Sequence, residues 1–152
     1  MDTSKNLYTQ EDYTTCVERI GKLSINSKAQ WGKMDVAQML AHCAEIQETM
    51  NGKALQNTPF MVKLFKGMIR NVVVSKKPYK KSMKTHPQYI QKSDRNFENE
   101  KARLLKAIDV FYNSDKEEVK KTKHDLFGLM TLDERGWACY KHLNYHLDQF
   151  GV

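Results

Sequence analysis

The stretch TLDERGWACYKHLNYHLDQFG, residues 131–151, reads as one helix with both of its ends written in. Thr131 and Glu134 form a T-x-x-E capping box, in which each side chain takes up a backbone amide that the first turn leaves unpaired. Gly151 supplies the stop, because a glycine accepts the left-handed conformation that closes a helix. Between them Cys139, His142, Leu143, His146 and Phe150 recur at three- and four-residue steps, which puts them on one face turned toward a core.

The same spacing extends backward through the chain. Ser93 is a candidate cap for a helix in which Phe97, Leu104 and Phe111 recur every seven residues, joined by Leu105 and Ile108. Pro59 suits the first turn of a less regular helix whose apolar positions continue to Val74. A helix from about Asp35 to Met50 carries Val36, Met39, Leu40, Cys43 and Ile46 on one stripe, stops at Asn51-Gly52, and has His42 beside the stripe. Thr9 caps a first helix running to about Leu23, with Tyr13, Cys16, Val17 and Ile20 inward. Residues 75–92 are too many for a tight turn, so this segment is expected to cross the helices or line a site.

Seven glycines, three prolines and 152 residues suit one all-α domain, residues 1–152, able to bury roughly 70% of the surface of the extended chain. Three cysteines, Cys16, Cys43 and Cys139, form no CxxC pair, which argues against a disulfide framework or a cysteine zinc knot and favours a cytoplasmic setting. Polar residues 1–6, and an apolar stretch at 60–74 broken by Lys63, Lys66 and Arg70, predict neither a signal peptide nor a membrane span, and no membrane partner is expected. The net charge of +7 raises nucleic acid as a partner. Lys76, Lys77, Lys80, Lys81 and Lys84, and again Lys116, Lys120, Lys121 and Lys123, nevertheless lack any nucleic-acid motif around them and read as solvated loops. Specific nucleic-acid binding is therefore not expected.

His142 and His146 stand four apart on the last helix, so both imidazoles leave one face about 6 Å apart along the axis. On an inward face an unpartnered imidazole costs about 1 to 3 kcal/mol, and binding a metal removes that cost. His42, mid-helix beside its own apolar stripe, can be brought level with them, although a histidine so placed is also a common core residue. Three neutral imidazoles suit a divalent ion such as zinc or nickel and leave one coordination position open. H-L-N-Y-H lacks the glutamate of helical metalloproteases, and no E-x-x-H motif of di-iron bundles occurs.

The stretches W-G-K-M (31–34), Q-M-L-A-H-C (38–43) and Y-K-H-L-N-Y-H-L-D-Q-F-G (140–151) resemble the DinB-like superfamily, in a branch of unknown function. That resemblance implies an up-down-down-up four-helix bundle, here with an additional helix and a long crossover segment, and a metal site whose three histidines fall on His42, His142 and His146. Members include thiol-dependent S-transferases and a mycothiol-dependent isomerase. The segment H-D-L-F-G-L-M-T, residues 124–131, also looks like the branch's pattern before its last helix, with Asp125 where that pattern has proline.

Around the histidines, Glu45 is a candidate to orient an imidazole or accept a proton, against the plainer reading of a helix-surface carboxylate. His124 is a candidate acid, base or entrance residue, with a capping role as its alternative. Cys139, one turn before His142, reads as a packing residue rather than a fourth ligand. His86, in K-T-H-P, reads as an exposed loop residue outside the site. The leading functional reading is an enzyme whose divalent ion activates a low-molecular-weight thiol or a water for transfer to a small electrophile. A metal-holding protein without turnover and a basic helical nucleic-acid module are the alternatives, and homodimer formation stays open.

Overall fold

The computed structural model describes residues 5–152, so residues 1–4 of the polar opening segment lie outside it. The regular structure of the described chain is helical apart from one small hairpin. In order it forms α1 (Gln10–Gly21), α2 (Val36–Met50), α3 (Phe60–Leu64), α4 (Lys66–Val74), a 3-10 turn (Pro87–Tyr89), α5 (Phe97–Tyr112), α6 (Lys116–Lys121), β1 (Lys123–His124), β2 (Gly128–Leu129) and α7 (Leu132–Gln149). No helix among these residues is long and apolar enough to cross a membrane.

Local chemistry sets the ends of the helices. Thr131 and Glu134 make both halves of the expected capping box, and Asp35 with Gln38 makes another at the start of α2. Thr9 caps α1 by accepting from the Asp12 amide. The α5 cap is Asn96, which accepts from the Asn99 amide at 2.9 Å, rather than Ser93 as expected. Both types can cap, and the helix begins where the apolar face begins, at buried Phe97.

α2 occupies the centre. It packs on α5 and α7, which α1 also touches, and the 3-10 turn lies across it. Twelve of its fifteen residues are buried, and Ala37, Ala41 and Ala44 are small enough to let the neighbouring helices approach closely. Leu40, Cys43, Leu104, Ile108, Leu143 and Leu147 belong to one buried core, together with Leu7, Cys16 and Ile20.

Three stretches depart from the sequence reading. The single helix expected from Pro59 to Val74 is two helices that meet at Phe65, with Pro59 preceding the first turn instead of lying within it. Only the inner edge of this segment, at Val73 and Val74, meets the core, so no continuous buried face enforces one straight helix. Lys116, Lys120 and Lys121 belong to a short helix rather than a loop. Asp115 caps it, and Lys120 and Lys121 pair with Glu117 and Glu118 one turn earlier. The hairpin β1–β2, with Gly128 at φ +68, was not anticipated, since two-residue strands leave no alternating pattern to read.

Candidate metal centre

The packing of α2 against α7 brings His42 beside His142 and His146. One ligand nitrogen from each of the three lies within 4.8 Å of the others. The Nε2 atoms of His42 and His142, 100 residues apart in the chain, are 3.1 Å apart. Imidazole nitrogens sharing one tetrahedral zinc at 2.0–2.1 Å stand about 3.3 Å from each other, so the His42–His142 spacing fits a shared ion. His42 and His146 are buried, whereas His142 is partly exposed.

Hydrogen bonds on the far side of two rings fix which nitrogens face inward. His42 Nδ1 lies 2.8 Å from the Tyr89 carbonyl, which can only accept, so Nδ1 carries the proton and Nε2 keeps its lone pair. His146 Nδ1 lies 2.7 Å from Gln149 Oε1, and the Gln149 amide nitrogen donates to the Trp31 carbonyl at 2.7 Å. That second bond orients the amide, so His146 also holds its proton on Nδ1. Both rings thus present unprotonated Nε2 atoms to the cluster, the form a metal requires.

Burial keeps the rings neutral. It lowers the His146 pKa to about 3, with the neighbouring His42 adding to the effect and the Gln149 bond opposing it. Burial also lowers His42, against the pull of the Tyr89 carbonyl. His142 is driven well below the ordinary histidine range by burial and then by His146 and His42. The donor set therefore fits a divalent ion: three neutral imidazoles, two of them already in the ligating tautomer.

The expected segment 75–92 does line this site. It contributes the Tyr89 carbonyl, and it contributes Tyr79, whose ring stands edge-on to His142 and Tyr145 at 6.5 and 5.8 Å. Lys141 sits 4.1 Å above the Tyr79 ring and donates to the carbonyls of Val72 and Ser75, and burial lowers its pKa to about 8. On the other side Trp31 Nε1 donates to the Tyr145 hydroxyl at 3.2 Å, and Tyr145 meets His146 edge to face. Gly32 has φ +88, and a Cβ there would stand 2.6 Å from the Gln149 amide nitrogen, so glycine permits both the turn and the close approach. Tyr79, Tyr89 and Gln149 were not singled out from the sequence. Tyr89 acts through its backbone, which carries no residue-type signal, but Gln149 follows His146 by three positions on one helix face and was open to detection.

The other candidates are engaged elsewhere. Glu45 bonds Lys53, Gln88 and Arg103, in a network that Glu48 and Glu100 extend. Burial opposes ionisation of Glu45, but these donors outweigh it and hold its pKa below the usual carboxylate value. It is neither a free surface carboxylate nor a group directed at an imidazole. A groove of about 810 Å³ follows the network past Glu48, Lys53 and Arg103 and includes none of the three histidines.

His124 closes the hairpin turn. Its Nδ1 accepts from the amides of Leu126 and Phe127, its ring stacks on Phe127, and burial, aided by Arg135, lowers its pKa to about 4. His86 is buried rather than exposed, which corrects the sequence reading. Its Nδ1 accepts from the Gln88 amide and its Nε2 donates to Thr58, so it caps the 3-10 turn that packs on α2. Cys139 is buried beside Gln47, and burial raises its thiol to about 12, in keeping with a packing role.

No curated protein and no solved structure matches the chain. Residues 2–151 match the family described as "Protein of unknown function (DUF1569)". With almost its whole length matched, the chain belongs to that family.

Proposed function

We propose that this protein is a metal-dependent enzyme of the DinB-like type, with zinc or nickel held by His42, His142 and His146. α1, α2, α5 and α7 would form the up-down-down-up four-helix bundle, with α3, α4 and α6 as additions. The mutual packing of those four helices supports this arrangement. The observation that carries the functional reading is the pair of outward Nδ1 bonds, to Tyr89 and Gln149, which leave both Nε2 atoms unprotonated in a cluster whose three ligand nitrogens lie within 4.8 Å of one another.

A divalent ion there would supply Lewis acidity, lowering the pKa of a low-molecular-weight thiol or a water at its open position so that the anion attacks a small electrophile. The chain's own part is positional. Tyr89 and Gln149 hold two rings in the ligating tautomer, and burial keeps protons off all three. The rings of Tyr79 and Tyr145 stand edge-on to His142 and His146 beside the cluster.

The deciding experiment is elemental analysis of protein purified without nickel resin, followed by a thiol-transfer and hydrolysis screen against a panel of electrophiles. About one divalent ion per chain, and turnover lost on chelation and restored by metal, is expected. Metal without turnover would leave a metal-holding protein. Less than about a tenth of an equivalent after soaking in zinc or nickel would reject the site.

A further inference from the structure

Residues 49–93 contain nine lysines, one arginine and no aspartate or glutamate, a formal +10, while the rest of the chain is net acidic. Within that segment α3 and α4 carry large apolar side chains in solvent: Phe60 is 74% exposed, Met68 64%, Leu64 60% and Met61 57%, with Phe65 and Val72 also exposed. Phe65, Met68 and Val72 follow i, i+3, i+7 spacing along α4, and Met61 and Leu64, three apart on α3, extend this exposed apolar stripe across the break.

The stripe is held outward by the bonds that anchor the opposite side. Lys141 donates to the carbonyls of Val72 and Ser75, Trp137 donates to Ser75, and Arg70 pairs with Glu134, all from α7. Val73 and Val74 pack on the core, so the segment is apolar on both its inner and its outer side. A soluble helix ordinarily presents a polar outer face, and a contiguous apolar one marks an interaction surface.

We infer that this face seats the protein on an anionic phospholipid bilayer. Phe60, Met61, Leu64, Phe65 and Met68 enter the acyl boundary, and Lys63, Lys66 and the lysines that follow lie at the headgroup phosphates. Charge chooses this occupant. A second copy would set one carboxylate-free basic face against another, and the charged backbone of a nucleic acid would meet the lysines but leave most of the apolar side chains unburied. The expectation of no membrane partner rested on the lack of a spanning segment, and a peripheral seat requires none.

The test is sedimentation of the full chain with vesicles of phosphatidylcholine containing one-third phosphatidylserine, beside vesicles of phosphatidylcholine alone. Binding to the anionic vesicles that weakens with salt is expected, reduced about tenfold or more in Phe60→Ser/Met68→Ser and in Lys63→Glu/Lys66→Glu. Circular dichroism of each variant should match the parent, because all four side chains are exposed. Absence of binding to anionic vesicles, or equal binding by parent and variants, overturns the inference. A dimer in sedimentation equilibrium that the Phe60→Ser/Met68→Ser variant dissolves assigns the face to a second copy and overturns it as well.

Discussion

His146 Nδ1 lies 2.7 Å from the side-chain oxygen of Gln149, and this contact decides which nitrogen of His146 is free to bind a metal. Gln149 is itself oriented by the Trp31 carbonyl, so a loop before α2 sets a tautomer on α7. Replacing Gln149 with leucine removes the acceptor while retaining apolar bulk. Zinc affinity is expected to fall roughly 10- to 100-fold with helix content unchanged, as followed by calorimetric titration and circular dichroism. Equal affinity in the variant would deny Gln149 any part in preparing the ligand.

His146→Ala removes a proposed ligand outright, and its loss of metal affinity should exceed that of the Gln149 variant, at more than about a hundredfold. His86→Ala is the informative partner, because His86 is a buried cap that meets the cluster only through the turn carrying Tyr89. It should cost about 1 kcal/mol in urea unfolding and weaken metal binding far less than His146→Ala, since all three ligands remain. Parental affinity in His146→Ala would dismantle the triad.

Glu45→Gln distinguishes a charge network from a catalytic site. The carboxylate is joined by Lys53 and Arg103, whose side chains are partly exposed, so neutralising it should cost only about 1 kcal/mol of stability. Metal affinity should stay within about twofold of the parent, since the Glu45 oxygens are already engaged. A folded variant that had lost its metal would return Glu45 to the site.

His124 should contribute a measurable acid sensitivity. Its pKa falls from 6.5 unfolded to about 4 folded, so between those values the unfolded chain binds more protons, and stability drops as pH is lowered. From pH 7.5 to 5 this amounts to about 2 kcal/mol for the one group. Urea unfolding of metal-free parent and His124→Asn at both pH values should reveal it as a smaller pH dependence in the variant. Identical pH dependence in the two would show that His124 titrates normally.

Features that depend on residues within about four positions of each other are written in the local order of the chain. The α7 capping box, the stop at Gly151, and the placement of His142 and His146 on one face all follow from 3.6 residues per turn and the chemistry of nearby side chains. The course of α1, α2 and α5 was legible for the same reason. The α3–α4 break, α6 and the hairpin were not, because short elements carry too few periods to read.

How those faces meet depends on the packing of helices that lie far apart in the chain. His42 reaches His142 across 100 residues because α2 packs on α7, and its tautomer is set by a backbone carbonyl that any residue at position 89 would offer. The roles of Glu45 and His86 turned on Arg103 and Thr58, partners 58 and 28 residues away. A histidine or a carboxylate looks the same in sequence whether it faces a metal, a guanidinium or a turn. What separates these cases is the burial of each charge and the distance to its partner, and both come into being only when the helices pack.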